Sequence, residues 1–397
     1  MFGIGASVEE RECGVVIDVG SGSVGVAIVV SDVHEEKPTM VWSKREFTTL
    51  GDIIEPEITL KHINTALINV FLQLGTGGMK ALHAFDSSLK VTHVQVAISA
   101  PWSHSVVKQV NFSDDHPFEV TQELIAELTK TATQKATKTV FEDTALQEKG
   151  VIALDNKNIG IITNGYRVPQ VVGAKTRELS IAHLTALSHK KIMDVLEDSQ
   201  NKLFPRAKVF THSFMYLYYE VMQSLAANTK EACLVDITSE ATEIGIIRDG
   251  LLTHVTHIPF GTFTLAREIA SVCEIPKEEA YTYLKGGESF IEKKLSKDKK
   301  NDLSIILTAH EERVAKLFQR TGDRLAIPKT LFMHTDVHTE PFFKKQVTEA
   351  ATIATGIQHQ VHVVSSNFFP VENSLDTALL LSATYFNNQH KAAYHGG

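Results

Sequence analysis

Residues 14–30 read Gly-Val-Val-Ile-Asp-Val-Gly-Ser-Gly-Ser-Val-Gly-Val-Ala-Ile-Val-Val, two β-branched runs joined by the small residues Gly20–Ser23. Runs of this kind around a Gly/Ser turn predict a hairpin of two buried strands. The pattern returns at Ala232 to Ile247, where Asp236 precedes a polar turn as Asp18 does in the first unit. Two distant copies without any short period point to an internal duplication, not a solenoid. A strand that delivers a carboxylate at its end, followed by small residues, suits a phosphate site. Open backbone N–H groups cradle the oxygens and the carboxylate holds a hydrated Mg²⁺. A single glycine-rich turn serves geometry alone; two that face each other can grip a triphosphate. The candidate contacts are Asp18, Gly20, Ser21, Gly22 and Ser23 in the first turn, and Asp236, Thr238, Ser239, Glu240 and Thr242 in the second. Asp18 and Asp236 are the expected Mg residues, acting largely through water.

The frame around these turns is that of a soluble globular chain: 397 residues, 43% hydrophobic and 22% charged, enough for about two to four folding units with clefts between them. With 39 Lys+Arg against 47 Asp+Glu the net charge is -8. The chain lacks the basic field that nucleic-acid binding draws on, so no nucleic-acid partner is expected. Cys13, Cys233 and Cys273 are isolated and odd in number, which favours a reducing compartment over a disulfide framework. Met1 to Glu10 carry no Lys or Arg, and the apolar run 14–30 is interrupted and too short to span a bilayer. A cytoplasmic protein is expected.

Periodicity supplies the remaining elements. Val91 to Ala100 alternates as a strand, and Thr121 caps a helix to Val140 with a stripe of Leu124, Ile125, Leu128, Ala132 and Ala136. Strands are expected at Val168–Val172 and Glu178–Leu184, then a helix at Lys190–Glu197. The aromatic cluster Phe214 to Tyr219 reads as a buried helix in preference to a docking face. Asp249-Gly250 forms a turn into a strand at Leu251–Ile258, followed by a helix at Gly261–Val272. Lys293 to Lys300 reads as a solvated loop tip. The last third alternates strand Thr330–Met333, helix Phe342–Ala354, strand His359–Val364 and helix Leu375–Tyr385, with a polar tail from Asn387. His334 and His338 lie across a strand-to-turn boundary, and His359 with His362 follows strand spacing with no acidic or cysteine companion nearby, so both pairs are taken as surface residues, not zinc ligands. No Gly-x-Ser-x-Gly elbow supports a hydrolytic triad.

The segment from Asp18 to Ala27 and the segment from Val235 to Gly250 resemble the two phosphate motifs of the actin, sugar-kinase and heat-shock-chaperone ATPase superfamily. Within it, the chain is similar to the branch of FtsA-type cell-division and PilM-type pilus-assembly proteins, over nearly its whole length. His254 to Gly261 resembles the family's return strand, and Glu278 to Lys285 the helix whose lysine, here Lys285, lies near the nucleotide sugar. The resemblance implies an α/β fold of two actin-like lobes with an inserted α+β subdomain in the first lobe. The lobes are expected at 12–89 with 189–230 and at 231–272 with 325–397, the insertion at 90–188, and a small helical subdomain at 273–324. Two departures stand out. Thr238, Ser239 and Glu240 replace a glycine run, and Leu331 to Asp336 lacks the family's paired glycines. If the Glu240 carboxylate faced a phosphate at about 4 Å, repulsion would cost on the order of 4 kcal/mol at an effective dielectric of about 20. The function implied is a cytoplasmic scaffold or adaptor of a membrane-associated machine, in type IV pilus assembly or cell division. It would be a weak ATPase or pseudo-ATPase regulated by ATP and Mg through a partly degenerate site. Residues 90–188 would meet a partner's cytoplasmic peptide or a second copy. An active filament-forming ATPase of the FtsA type and a small-molecule kinase are the alternatives. Residues 387–397 show no amphipathic stripe, so no direct membrane anchor is expected, which favours the PilM comparison.

Overall fold

The computed structural model describes residues 9–51, 55–143, 150–167, 171–286, 295–320, 327–335, 338–369 and 376–396. The first β-branched unit forms β1 (Arg11–Val19) and β2 (Ser23–Asp32), paired antiparallel with Asp18 opposite Gly25. Both strands are buried over almost their full length, as continuous apolar runs require when both faces of a sheet are covered. β3 (Thr39–Phe47) pairs antiparallel with β2 at one edge, β4 (Val91–Ile98) runs parallel to β1, and β9 (Lys208–Ser213) runs parallel to β4. The order is β3-β2-β1-β4-β9.

The second unit repeats this plan. β10 (Ala232–Ile237), β11 (Thr242–Arg248) and β12 (Leu251–Ile258) form the antiparallel part, and β13 (Thr330–Thr335) and β14 (Gln360–Val363) add in parallel. The order β12-β11-β10-β13-β14 matches the first sheet strand for strand, so the duplication inferred from two turns extends to whole lobes. Asp249 and Gly250 both have positive φ, 50° and 75°, the backbone a two-residue hairpin needs.

Between β4 and β9 the chain leaves the first lobe to build a four-stranded antiparallel sheet. β5 (Ser103–Glu119), β6 (Val151–Thr163), β7 (Tyr166–Arg167) and β8 (Lys175–His189) stand in the order β5-β8-β6-β7, and α3 (Gln122–Asp143) packs on them. Thr121 Oγ1 accepts the Leu124 N–H at 3.2 Å, and Ile125, Leu128, Ala132 and Ala136 are buried, as the stripe required. The strand expected at Val168–Val172 is not formed by its described part: Val171 and Val172 lie in a turn, and 168–170 fall outside the described residues.

Helices α1 (Pro56–Gln73) and α4 (Lys190–Leu203) cover one face of the first sheet. α5 (Phe214–Leu225) is wedged between the two sheets. Ser213 caps it, its Oγ accepting the Tyr216 N–H at 3.3 Å, and all six residues Phe214–Tyr219 are buried. In the second lobe α6 (Thr262–Cys273), α7 (Lys277–Gly286), α8 (Lys297–Gln319) and α9 (Glu340–Thr355) enclose a separate apolar core. The lysine-rich run is not a loop over its described part. Lys297, Lys299 and Lys300 open α8, whose N-cap Ser296 accepts the Lys299 N–H, while 293 and 294 lie outside the described residues.

The C-terminal segment departs most from expectation. α10 (Thr377–Gly396) continues through the expected polar tail, and it packs on β1 and β2 of the first sheet, although 325–397 was assigned to the second lobe. Leu379, Ala383 and Phe386 meet Val16, Ala27 and Val29. Asn387 and His390 are buried because the first sheet offers them partners. Ser31 Oγ donates to Asn387 Oδ1 at 2.7 Å and lies 2.8 Å from His390 Nδ1, and His390 Nε2–H donates to the Glu9 carbonyl at 2.8 Å. Removing one partner of a buried hydrogen bond costs about 1–3 kcal/mol. Asn387→Ala and His390→Ala are each expected to lower stability by about that amount, read from the denaturant midpoint. An unchanged midpoint would mean that the last turns of α10 do not contribute to the core.

Candidate functional site

The two hairpin turns meet at the base of the cleft between the lobes. Trp102 Nε1–H donates to the Gly20 carbonyl at 3.1 Å and holds the first turn in place. Ser21 Oγ accepts the backbone N–H of Glu240 at 2.7 Å and donates to Thr238 Oγ1 at 2.8 Å; Thr238 Oγ1 in turn has the Ala100 and Ala241 carbonyls as acceptors, each at 3.2 Å. The approach is so close that a Cβ at Gly22 would lie 2.1 Å from Ser239 Oγ. Gly22 is thus required by packing between the turns.

Beside this contact the carboxylates are already engaged. Asp18 is 3% exposed, and Arg45 Nη2–H donates to its Oδ2 at 2.7 Å. The same guanidinium donates from Nε and Nη2 to Asp376 at 2.6 and 2.9 Å and from Nη1 to Ser23 Oγ at 2.8 Å. It can lie across β2 because residue 25 is glycine: a Cβ there would stand 2.6 Å from Arg45 Nη2. Burial pushes the Asp18 carboxyl above its usual range despite the pull of Arg45. At Asp376 burial acts upward too, but the Arg45 charge and hydrogen bonds with the Leu379 N–H hold the carboxyl below its usual range. Asp236 Oδ1 accepts His334 Nδ1–H at 2.7 Å, while its Oδ2 is buried with no hydrogen-bond partner.

Glu240 does not face the first turn as a free charge. Arg267 Nη1 and Nη2 donate to its two oxygens at 2.9 and 2.5 Å, and Thr264 Oγ1 donates at 3.0 Å. The repulsion expected from Glu240 is therefore neutralised within the second lobe. Thr242 Oγ1 donates to the Phe260 carbonyl at 2.7 Å, a structural bond of the strand end. Lys285 is exposed at the end of α7 with its Nζ 4.5 Å from the Tyr281 ring centre, and it does not line the cleft described here. His334 and His359 are buried, contrary to the expectation of surface histidines.

What remains open is a narrow cleft, continuous with solvent, whose lining includes Asp18, Gly20, Ser23, Arg45, Thr238, His334, Glu340 and Asp376. Phe47, 61% exposed, stands at its wall. Among the described residues its charged lining is one cation, Arg45, against the carboxylates Asp18, Glu340 and Asp376. Mg-ATP does not fit this arrangement. The Glu240 N–H, which a phosphate would need, is taken by Ser21, Ser21 and Thr238 bond to each other across the turns, and the Asp18 carboxylate, which a metal would need, is taken by Arg45. Arg45, Asp376 and Arg267 were not among the residues singled out from the sequence, and His334 was singled out only as a surface histidine. No local pattern marks them, since each acts through a partner distant in the chain.

No family model matches the sequence, and no curated protein matches it. Solved structures do match. The PilM-PilN type IV pilus biogenesis complex aligns with TM-score 0.58 and 10% identity, covering 97% of this chain and 99% of that one. The chain has the actin-like ATPase fold. Ethanolamine utilization protein EutJ from Carboxydothermus hydrogenoformans aligns over 96% of this chain and 92% of its own at TM-score 0.43 and 12% identity. A protein with actin-like ATPase fold from Bacteroides thetaiotaomicron aligns over 95% and 99% at TM-score 0.41 and 13% identity. The open cleft of this chain lies between its two duplicated lobes, lined by Asp18 and Arg45 from one and Thr238 and His334 from the other.

Two tests follow from the charges beside the cleft. Arg267→Ala would strand the Glu240 carboxylate, and breaking a buried pair in this way costs about 3–5 kcal/mol; equilibrium unfolding should register a loss near that range. Glu243 faces Asp236 across the hairpin, and both its carboxylate oxygens are buried without a partner. Burial, with the Asp236 charge second, pushes its carboxyl well above the usual range. A raised folded value favours the protonated acid, so the stability Glu243 supports is full below the unfolded value and falls as pH rises beyond it. Glu243→Gln, which cannot ionise and can donate to Asp236, is expected to stabilise by about 1–3 kcal/mol at pH 7 and by less at pH 4. Equal gains at both pH values in denaturant titrations would contradict the assignment.

Proposed function

We propose that this chain is an actin-like scaffold or adaptor of a membrane-associated machine, with a pseudo-ATPase cleft and a partner-binding inserted subdomain. The observation that carries the reading is the direct hydrogen bonding of the two turns, Ser21 to Thr238 and to the Glu240 N–H, where the active ATPases of this fold need room for a triphosphate. An FtsA-type filament-forming ATPase or a small-molecule kinase would have to part these turns to seat a triphosphate between them. The partner would be a cytoplasmic peptide of a membrane-machine protein, as the pairing of PilM with PilN in the matching structure supports. Among the described residues no helix is long and apolar enough to cross a membrane, so recruitment to a membrane would rest on that partner.

The inserted sheet suits an extended peptide. Its outer strands β5 and β7 carry exposed Phe112 and Tyr166, the latter 76% exposed, and an edge strand with apolar anchors is a site for strand addition. A photo-crosslinking residue placed at Tyr166 in cells is expected to capture a protein with a membrane-spanning segment through that protein's cytoplasmic tail. The same probe at exposed Ile305 on α8 should not. Crosslinks only between copies of this chain would replace the peptide reading by self-association through the insertion.

A further inference from the structure

We infer that the side chains at the base of the cleft form a clasp that stands in for magnesium nucleotide, so that the two lobes are held together with no ligand. This deepens the pseudo-ATPase reading and rests on it. Three substitutions of group for group make the case. A nucleotide phosphate joins two such turns by accepting backbone N–H groups with its oxygens; here the Ser21 hydroxyl accepts the Glu240 N–H at 2.7 Å from the opposite lobe. A phosphate also accepts hydroxyl groups. Ser21 reverses this polarity and donates to Thr238 Oγ1 at 2.8 Å, and Thr238 passes the chain of bonds to the Ala100 carbonyl at 3.2 Å. A divalent cation would neutralise the buried carboxylate at the end of β1; Arg45 does so at 2.7 Å and is itself fixed by Asp376 and Ser23.

The relay crosses the cleft with every hydroxyl both accepting and donating, and Ser21 and Thr238 are both buried. Buried hydrogen-bonded chains in a low-dielectric setting are costly to break because each partner left behind lacks water. Thr238 departs from the glycine expected at its position in the second motif, and it is the residue that gives Ser21 an acceptor. The same departure that weakens a phosphate cradle therefore builds the clasp. Arg45 works separately: it lies within the first lobe, where it removes the need for a cation at Asp18 instead of bridging the lobes.

The test uses the full-length protein. Amide hydrogen exchange over residues 19–24 and 237–242 is followed by mass spectrometry, with and without Mg-ATP, alongside small-angle scattering of the same samples. The native protein should be protected at both turns without nucleotide, and neither protection nor the scattering profile should change when Mg-ATP is added. Thr238→Val, which keeps the shape and removes the acceptor, should raise exchange at the second turn by about tenfold, in line with the loss of one buried hydrogen bond; Thr238→Ser should restore native protection. Rapid exchange in the ligand-free native protein that is suppressed by Mg-ATP, or contraction in scattering on adding Mg-ATP, would overturn the clasp. So would native-like protection in Thr238→Val. Should that variant fail to fold, the native comparison with and without Mg-ATP decides the matter alone. A partner captured through the insertion would leave the scaffold reading standing even if the clasp is overturned.

Discussion

A carboxylate buried at the end of a strand must be compensated, and in this chain the compensation of Asp18 by Arg45 organises everything near the cleft. Arg45 reaches Asp18 only because β3 pairs with β2 in the register that sets Arg45 opposite Gly25, the residue that also faces Asp18 across the hairpin. The guanidinium then has donors to spare, and Asp376 takes two of them at the start of α10. One side chain thus ties the central strand, an edge strand and the last helix of the chain to a single charge centre. The second lobe solves the same problem differently. His334 from the neighbouring parallel strand satisfies one oxygen of Asp236, and Arg267 from α6 neutralises Glu240.

These pairings settle the charges within each lobe, and the contact between the lobes falls to the hydrogen bonds of Ser21 with Thr238 and with the Glu240 N–H. The backbone plan of both lobes is kept, with three antiparallel strands followed by two parallel ones on each side. What differs is the chemistry at the turn tips, where hydroxyls replace open backbone. A hydroxyl donates and accepts through one freely rotating atom, whereas a glycine turn offers only its fixed N–H and C=O groups, so hydroxyls on the two turns can bond directly across the cleft.

The hairpins, the aromatic helix, the turn at Asp249 and the strand Leu251–Ile258 were readable because burial on both faces or a positive-φ dipeptide leaves a local mark. β5 was not, since its 17 residues include a half exposed on both faces, Asn111 to Glu119, with no apolar alternation to betray a strand. The end of α10 was hidden for the opposite reason: Asn387 and His390 look like solvent residues but find partners on a strand more than half the chain away. At the site, Asp18, Ser21, Asp236 and Thr238 were identifiable from the turn motifs. The state of Glu240 was not, because the neutralising Arg267 lies on a helix whose sequence says nothing about where its guanidinium goes. Charge at a motif can be read locally; its compensation is a tertiary fact.

The place of α10 also sets an order of assembly. Val16, Ala27 and Val29 on one face of the first sheet are covered by Leu379, Ala383 and Phe386, which leave the ribosome after every strand of both lobes has been made. During synthesis that face has no cover of its own, and the first lobe, although earliest in the chain, cannot complete its core until the last helix arrives. One face of the second sheet has a core of its own within residues 233–361, while its other face shares a core with α5 and with Leu380, Leu381 and Tyr385 of α10. Translation stalled or cut short before residue 377 would release a chain whose first sheet presents Val16, Ala27 and Val29 without their cover, an adhesive apolar face.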